Sequence, residues 1–253
     1  MLDYNTASKL KEMKLSVMAK AFQDQLGGKA FAELSFEERV GMMVDAEYTS
    51  RRNNRIKLLM RQAGFSEPEA CLEDIEYHSD RELDKALITR LSTCNYIEEH
   101  RNVIIMGATG GGKTYIANAF GVAAVRNFIP VKYVRLPELI GELAIARLDG
   151  TYRKVVKTYK TVKLLVVDEW LLSQIQDTDA KELLEITDAR HKKASTIYCS
   201  QYDVGGWHTQ LGGGPIAEAI CDRIVHDSYK IIIASNSEDS VSMRQRKGIT
   251  SEA

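Results

Sequence analysis

Cysteine is scarce and dispersed. Cys71, Cys94, Cys199 and Cys221 form no C-x-x-C pair, which speaks against a disulfide framework or a zinc site and for reduced thiols in a cytoplasmic protein. The histidines (His78, His100, His191, His208, His226) show no metal-ligand spacing. Long hydrophobic runs are missing as well. Stretches such as "LLVV" (164–167) fall far short of the roughly 20 apolar residues a membrane span requires. The opening "MLDYNTASKLKEMK" lacks the apolar core of a signal peptide. Charge nearly cancels, at −1 over 253 residues, so a nucleic-acid partner would have to be met by local patches. There is no internal repeat and no low-complexity tract. The expectation is a cytoplasmic protein without a membrane partner. A hydrophobic content of 44% is enough for an ordinary core, in one medium domain with a smaller appendage.

The first 64 residues contain no strand-like run. Apolar residues at helical spacing (Leu10, Met13, Val17, Met18, Phe22, Leu26) predict one helix from Thr6 to Leu26, stopped by Gly27-Gly28. "SFEE" starts a second helix with a capping box, Ser35 and Glu38. That helix runs to Ala63, with Thr49-Ser50 as the place where it could divide. Carboxylates then dominate from Glu67 to Asp84, the composition of a linker. Beyond Asn102 the pattern alternates. Strands are expected at 102–106, 131–135, 163–168, 195–200 and 229–234, with helices at 113–127, 137–148, 178–193 and 215–225. Such alternation predicts an α/β fold, a doubly wound five-stranded parallel sheet.

"GATGGGKT" follows the first of these strands: Gly107, Ala108, Thr109, Gly110, Gly111, Gly112, Lys113, Thr114. It fits the phosphate loop G-x-x-x-x-G-K-[ST], whose successive backbone N–H groups form an anion nest at a helix N-terminus. Lys113 would reach the β- and γ-phosphates of ATP and Thr114 would ligate Mg²⁺, with Tyr115 closing the nucleotide-binding stretch. The bland alternative is a flexible glycine turn. "KLLVVDEW" supplies the partner carboxylates: Asp168 for the Mg²⁺ and Glu169 to polarise a water. A base for water favours hydrolysis over phosphoryl transfer to a small molecule, although a lone "DE" is often only a solvated strand end.

Further stretches carry a family resemblance. "CSQ" (199–201) stands where AAA+ ATPases carry a polar γ-phosphate sensor, here Gln201. "AEAICDRIVHDSYKI" (217–231) resembles the stretch of helicase-loader-like AAA+ proteins that places an arginine finger, here Arg223. "SVSMR" (240–244) resembles their terminal "ESMR", making Arg244 the second sensor. "LKEMKLSVMAKAFQDQL", "LSFEERVGMMVDAEYTSRRNNR" and "RQAGF" resemble the IstB-type ATPases, helper proteins encoded beside insertion-sequence transposases. Gln201 replaces the asparagine of many relatives, and the final stretch lacks the glycine expected before its ESMR-like end. The resemblance implies an AAA+ core at 97–253 without a full C-terminal lid, a helical DNA- or partner-binding domain at 1–64, and an acidic linker at 65–96. It also implies a homo-oligomer with Arg223 acting in trans, and a transposase partner.

Two basic stretches are candidates for non-specific duplex DNA. Arg51, Arg52 and Arg55 lie on the second helix. Arg153, Lys157 and Lys160 share one face of another, with Lys154 beside them. Each could equally be a solvated face, and the interleaved Tyr152 and Tyr159 could be core. Two rivals stay open. A DnaC-like helicase loader shares the same core. A small-molecule P-loop kinase shares the loop but has no use for Glu169 or the Arg223 stretch.

Overall fold

The computed structural model describes residues 2–78 and 81–233. The chain divides into two compact units, Met1–Leu58 and Leu59–Ala253.

The first unit is helical: α1 (Leu2–Glu12), α2 (Ser16–Gly27) and most of α3 (Phe36–Ala63). The single helix expected over Thr6–Leu26 is therefore two. Lys14 adopts a left-handed backbone, φ 61°. The N–H of Leu15 returns to Leu10 O at 2.8 Å, and that of Lys14 to Lys11 O at 2.9 Å. This is the Schellman pattern, built here without its usual glycine. The start of α2 is capped from a distance. One carboxylate oxygen of Glu47, on α3, accepts from Val17 N at 2.9 Å and Met18 N at 3.0 Å. At the start of α3 the capping box forms as expected: Ser35 N donates to Glu38 at 2.7 Å and Glu38 N to Ser35 Oγ at 3.2 Å. No break occurs at Thr49-Ser50.

The second unit adds α4 (Lys85–Ser92) and α5 (Asn95–Glu98), then alternates β1 (Asn102–Gly107), α6 (Lys113–Arg126), β2 (Val131–Arg135), α7 (Leu136–Leu148), α8 (Tyr152–Thr161), β3 (Leu164–Asp168), α9 (Asp177–Arg190), β4 (Ser195–Ser200), α10 (Val204–Gln210), α11 (Gly214–Val225) and β5 (Ser228–Ile233). All pairings are parallel, in the order β2-β3-β4-β1-β5. This is the five-stranded sheet expected. Its inner strands are largely buried because both faces are covered, whereas edge strand β5 leaves Lys230 and Ile232 exposed. Ile104, Val134, Leu165, Val167 and Tyr198 pack with residues of α7, α8, α9 and α11 in one buried cluster, while α6 lies against β1 to β4. Among the described residues no helix is long and apolar enough to cross a membrane.

Helix α8 was missing from the expected helices but present in the charge argument. Its inner residues Val156 and Tyr159 are buried. Arg190 anchors its end, donating to Tyr159 O and Val162 O at 2.8 Å and to Thr196 Oγ1 at 2.9 Å. Burial holds that guanidinium's pKa down to about 10.

Candidate functional site

The loops leaving the C-terminal ends of β1, β3 and β4 converge on one cavity of ≈ 440 Å³, where ligands settle in open parallel sheets. Gly112 ends the glycine loop at φ 88°, ψ 17° and stands at the N-cap of α6. That left-handed geometry suits glycine and aims the first free N–H groups of α6 at the loop's concavity. Lys113 Nζ donates to Gly107 O and Ala108 O, both at 2.8 Å. Burial lowers the ammonium's pKa, partly offset by the nearby Cys199 and Asp168.

Asp168, 4% exposed, ends β3. Its Oδ2 accepts from Thr114 Oγ1 at 2.7 Å and Tyr133 OH at 3.0 Å, and its Oδ1 accepts from Glu169 N at 2.8 Å. Burial, above all, raises the Tyr133 phenol, which keeps it a donor. Glu169 has a left-handed backbone, φ 54°, an uncommon state for a side-chain-bearing residue and one that turns the chain sharply after the strand. Its carboxylate lies 3.8 Å from Arg135, which also pairs with Glu138. Cys199 is buried beside this cluster, and burial pushes its thiol well above the ordinary value. Gln201 lines the rim, exposed.

The structure thus brings together Lys113, Thr114, Asp168, Glu169 and Gln201. Arg223 is not part of this cavity. On α11, its Nε donates to Asp188 at 2.9 Å and its Nη1 to Ala219 O at 3.0 Å. Arg244 lies outside the described residues.

Several contributors escaped the sequence reading. Tyr133 and Arg135 reach the site because β2 pairs with β3 in the register Arg135↔Asp168. Strand order was the missing signal. The acidic stretch contributes Glu67, Asp74, Ile75, Glu76 and Arg81 to the cavity wall. It is fastened to α6. Tyr115 OH accepts from Cys71 N at 3.2 Å and reaches Cys71 O at 3.3 Å, and Asn118 donates to Ser66 Oγ at 3.1 Å. Phe65 packs so tightly on Gly121 that a Cβ there has no room.

The basic residues differ in what holds them. Arg51 donates to Glu47 at 2.7 Å and to Lys14 O at 2.6 Å. Arg52 lies over the Tyr48 ring, and Arg55 is exposed. On α8, Arg153, Lys154 and Lys157 are exposed, whereas Lys160 is paired with Glu185. Tyr159 is fully buried and Tyr152 packs on the core, which resolves the tyrosines as packing residues.

A family model described as IstB-like ATP binding protein matches residues 8–249. A Sinorhizobium fredii protein named as an insertion sequence ATP-binding protein is 36% identical over 237 residues, covering 94% of this chain and 96% of that protein. A Pseudomonas fluorescens protein, named as the ATP-binding protein of insertion sequence IS1162, is 35% identical over 201 residues, covering 79% and 87%. Among solved structures, the DnaC helicase loader superposes with a TM-score of 0.54 at 22% identity, over 65% of this chain and 97% of that one. The second unit therefore has the AAA+ P-loop fold.

Proposed function

This chain belongs to the family of IstB-like ATP binding proteins, and from that premise we propose that it is a DNA-coupled ATPase that oligomerises on duplex DNA and assists the transposase of an insertion sequence. The observation that carries the chemistry is the convergence of Lys113, Thr114, Asp168 and Glu169 on one cavity.

The loop N–H groups and Lys113 would hold the β- and γ-phosphates of ATP, trading Lys113's two carbonyl partners for anionic oxygens. Thr114 Oγ1 and Asp168 Oδ2 are adjacent hard oxygen donors, a set that fits Mg²⁺. They would hold the ion, which supplies charge neutralisation on the phosphates when bound. Glu169 accepts a proton from the attacking water as its oxygen bonds to the γ-phosphorus and the bridging oxygen leaves with ADP. Gln201 and Arg244 are the proposed γ-phosphate sensors. Arg223, outside the lining of its own cavity, would complete a neighbour's site, which makes hydrolysis dependent on assembly.

Residues 1–64 are the proposed DNA- or partner-binding domain and 97–253 the ATPase domain, joined through 65–96. Arg153, Lys154 and Lys157 on α8, with Arg52 and Arg55 on α3, supply cations for phosphates. Such contacts grip DNA without reading bases. Support for the transposition role is the naming of the relatives for insertion sequences. A cytoplasmic location follows from substrate and partner.

The test is phosphate release from ATP with and without random duplex DNA, for the wild type and Lys113→Ala. The expected result is hydrolysis stimulated by DNA and lost in the variant. Phosphorylated small-molecule product without DNA stimulation would replace this reading with a kinase. Stable binding to a hexameric replicative helicase, with no effect on a transposase, would replace it with a helicase loader.

A further inference from the structure

Arg81 is a buried cation that the chemistry above does not use. It is 7% exposed and lines the same cavity as Lys113. Its Nη2 donates to Gly111 O at 2.7 Å and its Nη1 to Glu76 O at 2.9 Å. A guanidinium kept this far from water needs strong partners, and one of them is a carbonyl of the phosphate loop itself.

We propose that Arg81 is a positioning residue of the phosphate loop, holding the Gly111–Gly112 peptide in the orientation that presents the Gly112 N–H to a β-phosphate. This rests on the reading of the loop as a phosphate site. The warrant is peptide geometry. In a planar trans peptide the C=O and N–H point in opposite directions. Fixing Gly111 O on Arg81 therefore fixes the Gly112 N–H the other way, and Gly112 lines the cavity while Gly111 does not.

The loop needs such a clamp. Gly110 and Gly112 both have left-handed backbones, φ 79° and 88°, and consecutive glycines carry no Cβ to bias one peptide orientation over its flip. In the flipped state a carbonyl would face the phosphate, replacing an attractive dipole with a repulsive one. A charge-assisted hydrogen bond is about twice as strong as a neutral one, and Arg81 supplies it. The same guanidinium ties the loop to the wall at Glu76. That wall is fastened to α6 through Tyr115 and Asn118, so the clamp has a rigid base.

A positioning role and a role in the cavity wall separate along a nucleotide series. Affinities of AMP, ADP and ATP are measured by displacement of a fluorescent ADP analogue from wild type, Arg81→Ala and Arg81→Lys, with thermal unfolding of each nucleotide-free protein as the folding control. Arg81→Ala is expected to weaken ADP and ATP by roughly 10- to 100-fold, the scale of a hydrogen bond to a charged group. AMP, which has no β-phosphate, changes little, so the ADP-to-AMP affinity ratio falls at least about tenfold. Arg81→Lys keeps the charge with a different donor geometry, falls between the two, and carries the test if the alanine variant does not fold. Equal weakening of all three nucleotides, or unchanged ADP affinity in a folded variant, overturns the proposal. Failure of the wild type to bind ADP at all instead overturns the reading of the loop.

Discussion

Thr114 donates its hydroxyl hydrogen to Asp168 across 2.7 Å, joining the first turn of α6 directly to the end of β3. Two oxygens so placed can each offer a lone pair to a divalent cation, the threonine hydroxyl keeping its hydrogen. Thr114→Ala should therefore remove most of the gain in ATP affinity conferred by Mg²⁺, by about tenfold. In EDTA the variant and wild type should bind alike. Titration of a fluorescent ATP analogue with and without EDTA checks this, and an unchanged Mg²⁺ effect would exclude Thr114 as a ligand.

Glu169 and Arg135 separate binding from turnover. Glu169→Gln retains the shape of the side chain but not its basicity, so ATP affinity should persist while hydrolysis falls roughly 10²-fold. Arg135→Ala releases the carboxylate from an ion pair 3.8 Å long. A carboxylate released from that cation is free to turn toward the attacking water. DNA-free turnover should rise, by no more than about fivefold for a pair this exposed. Steady-state kinetics of both variants decide the matter, and near wild-type turnover in Glu169→Gln would remove the assignment.

The orientation of Arg223 predicts complementation. Its guanidinium is held on its own subunit by Asp188 and Ala219 O, outside that subunit's cavity. Arg223→Ala should bind ATP normally and hydrolyse at least about 10²-fold more slowly. Mixed with Lys113→Ala, it should recover part of the activity, because one partner brings an intact loop and the other an intact arginine. Absence of recovery at every mixing ratio argues against a site shared between subunits.

Cations that look equivalent in the sequence should behave differently on DNA. Removing Arg153, Lys154 or Lys157 should each lower the slope of log affinity against log salt by about one, similarly on unrelated duplexes. Lys160, already paired with Glu185, should contribute less. Arg51→Ala should lower the urea midpoint of unfolding and leave the slope nearly unchanged, because Arg51 bonds to Glu47 and Lys14 O. A full unit of slope lost with Arg51 would return it to the DNA surface.

What the sequence disclosed was local. The glycine loop, the "DE" after a buried strand and the Ser35–Glu38 box are each set by residues within a few positions, and all fold as their spacing suggests. What it concealed depends on pairing across the chain. The halt at Lys14 is a Schellman cap without glycine, and the cap on α2 comes from Glu47, 30 residues away. Tyr133 and Arg135 read as ordinary strand residues until β2 is placed beside β3. The acidic composition after Glu67 drew attention from Ile75 and Arg81, the buried residues through which that stretch reaches the cavity.

The chain has two tryptophans, one at the site and one packed behind it in the core. Trp170 lines the cavity and meets Trp207 edge-on with ring centroids 6.0 Å apart. Trp207 donates its indole N–H to Ser200 Oγ at 2.8 Å, at the end of β4. Neither residue lies in the first 58 residues, so all indole emission arises from the second unit. The protein thus carries a built-in optical probe: ligand arriving beside Trp170 is read in unlabelled protein, and events confined to the N-terminal helices stay dark.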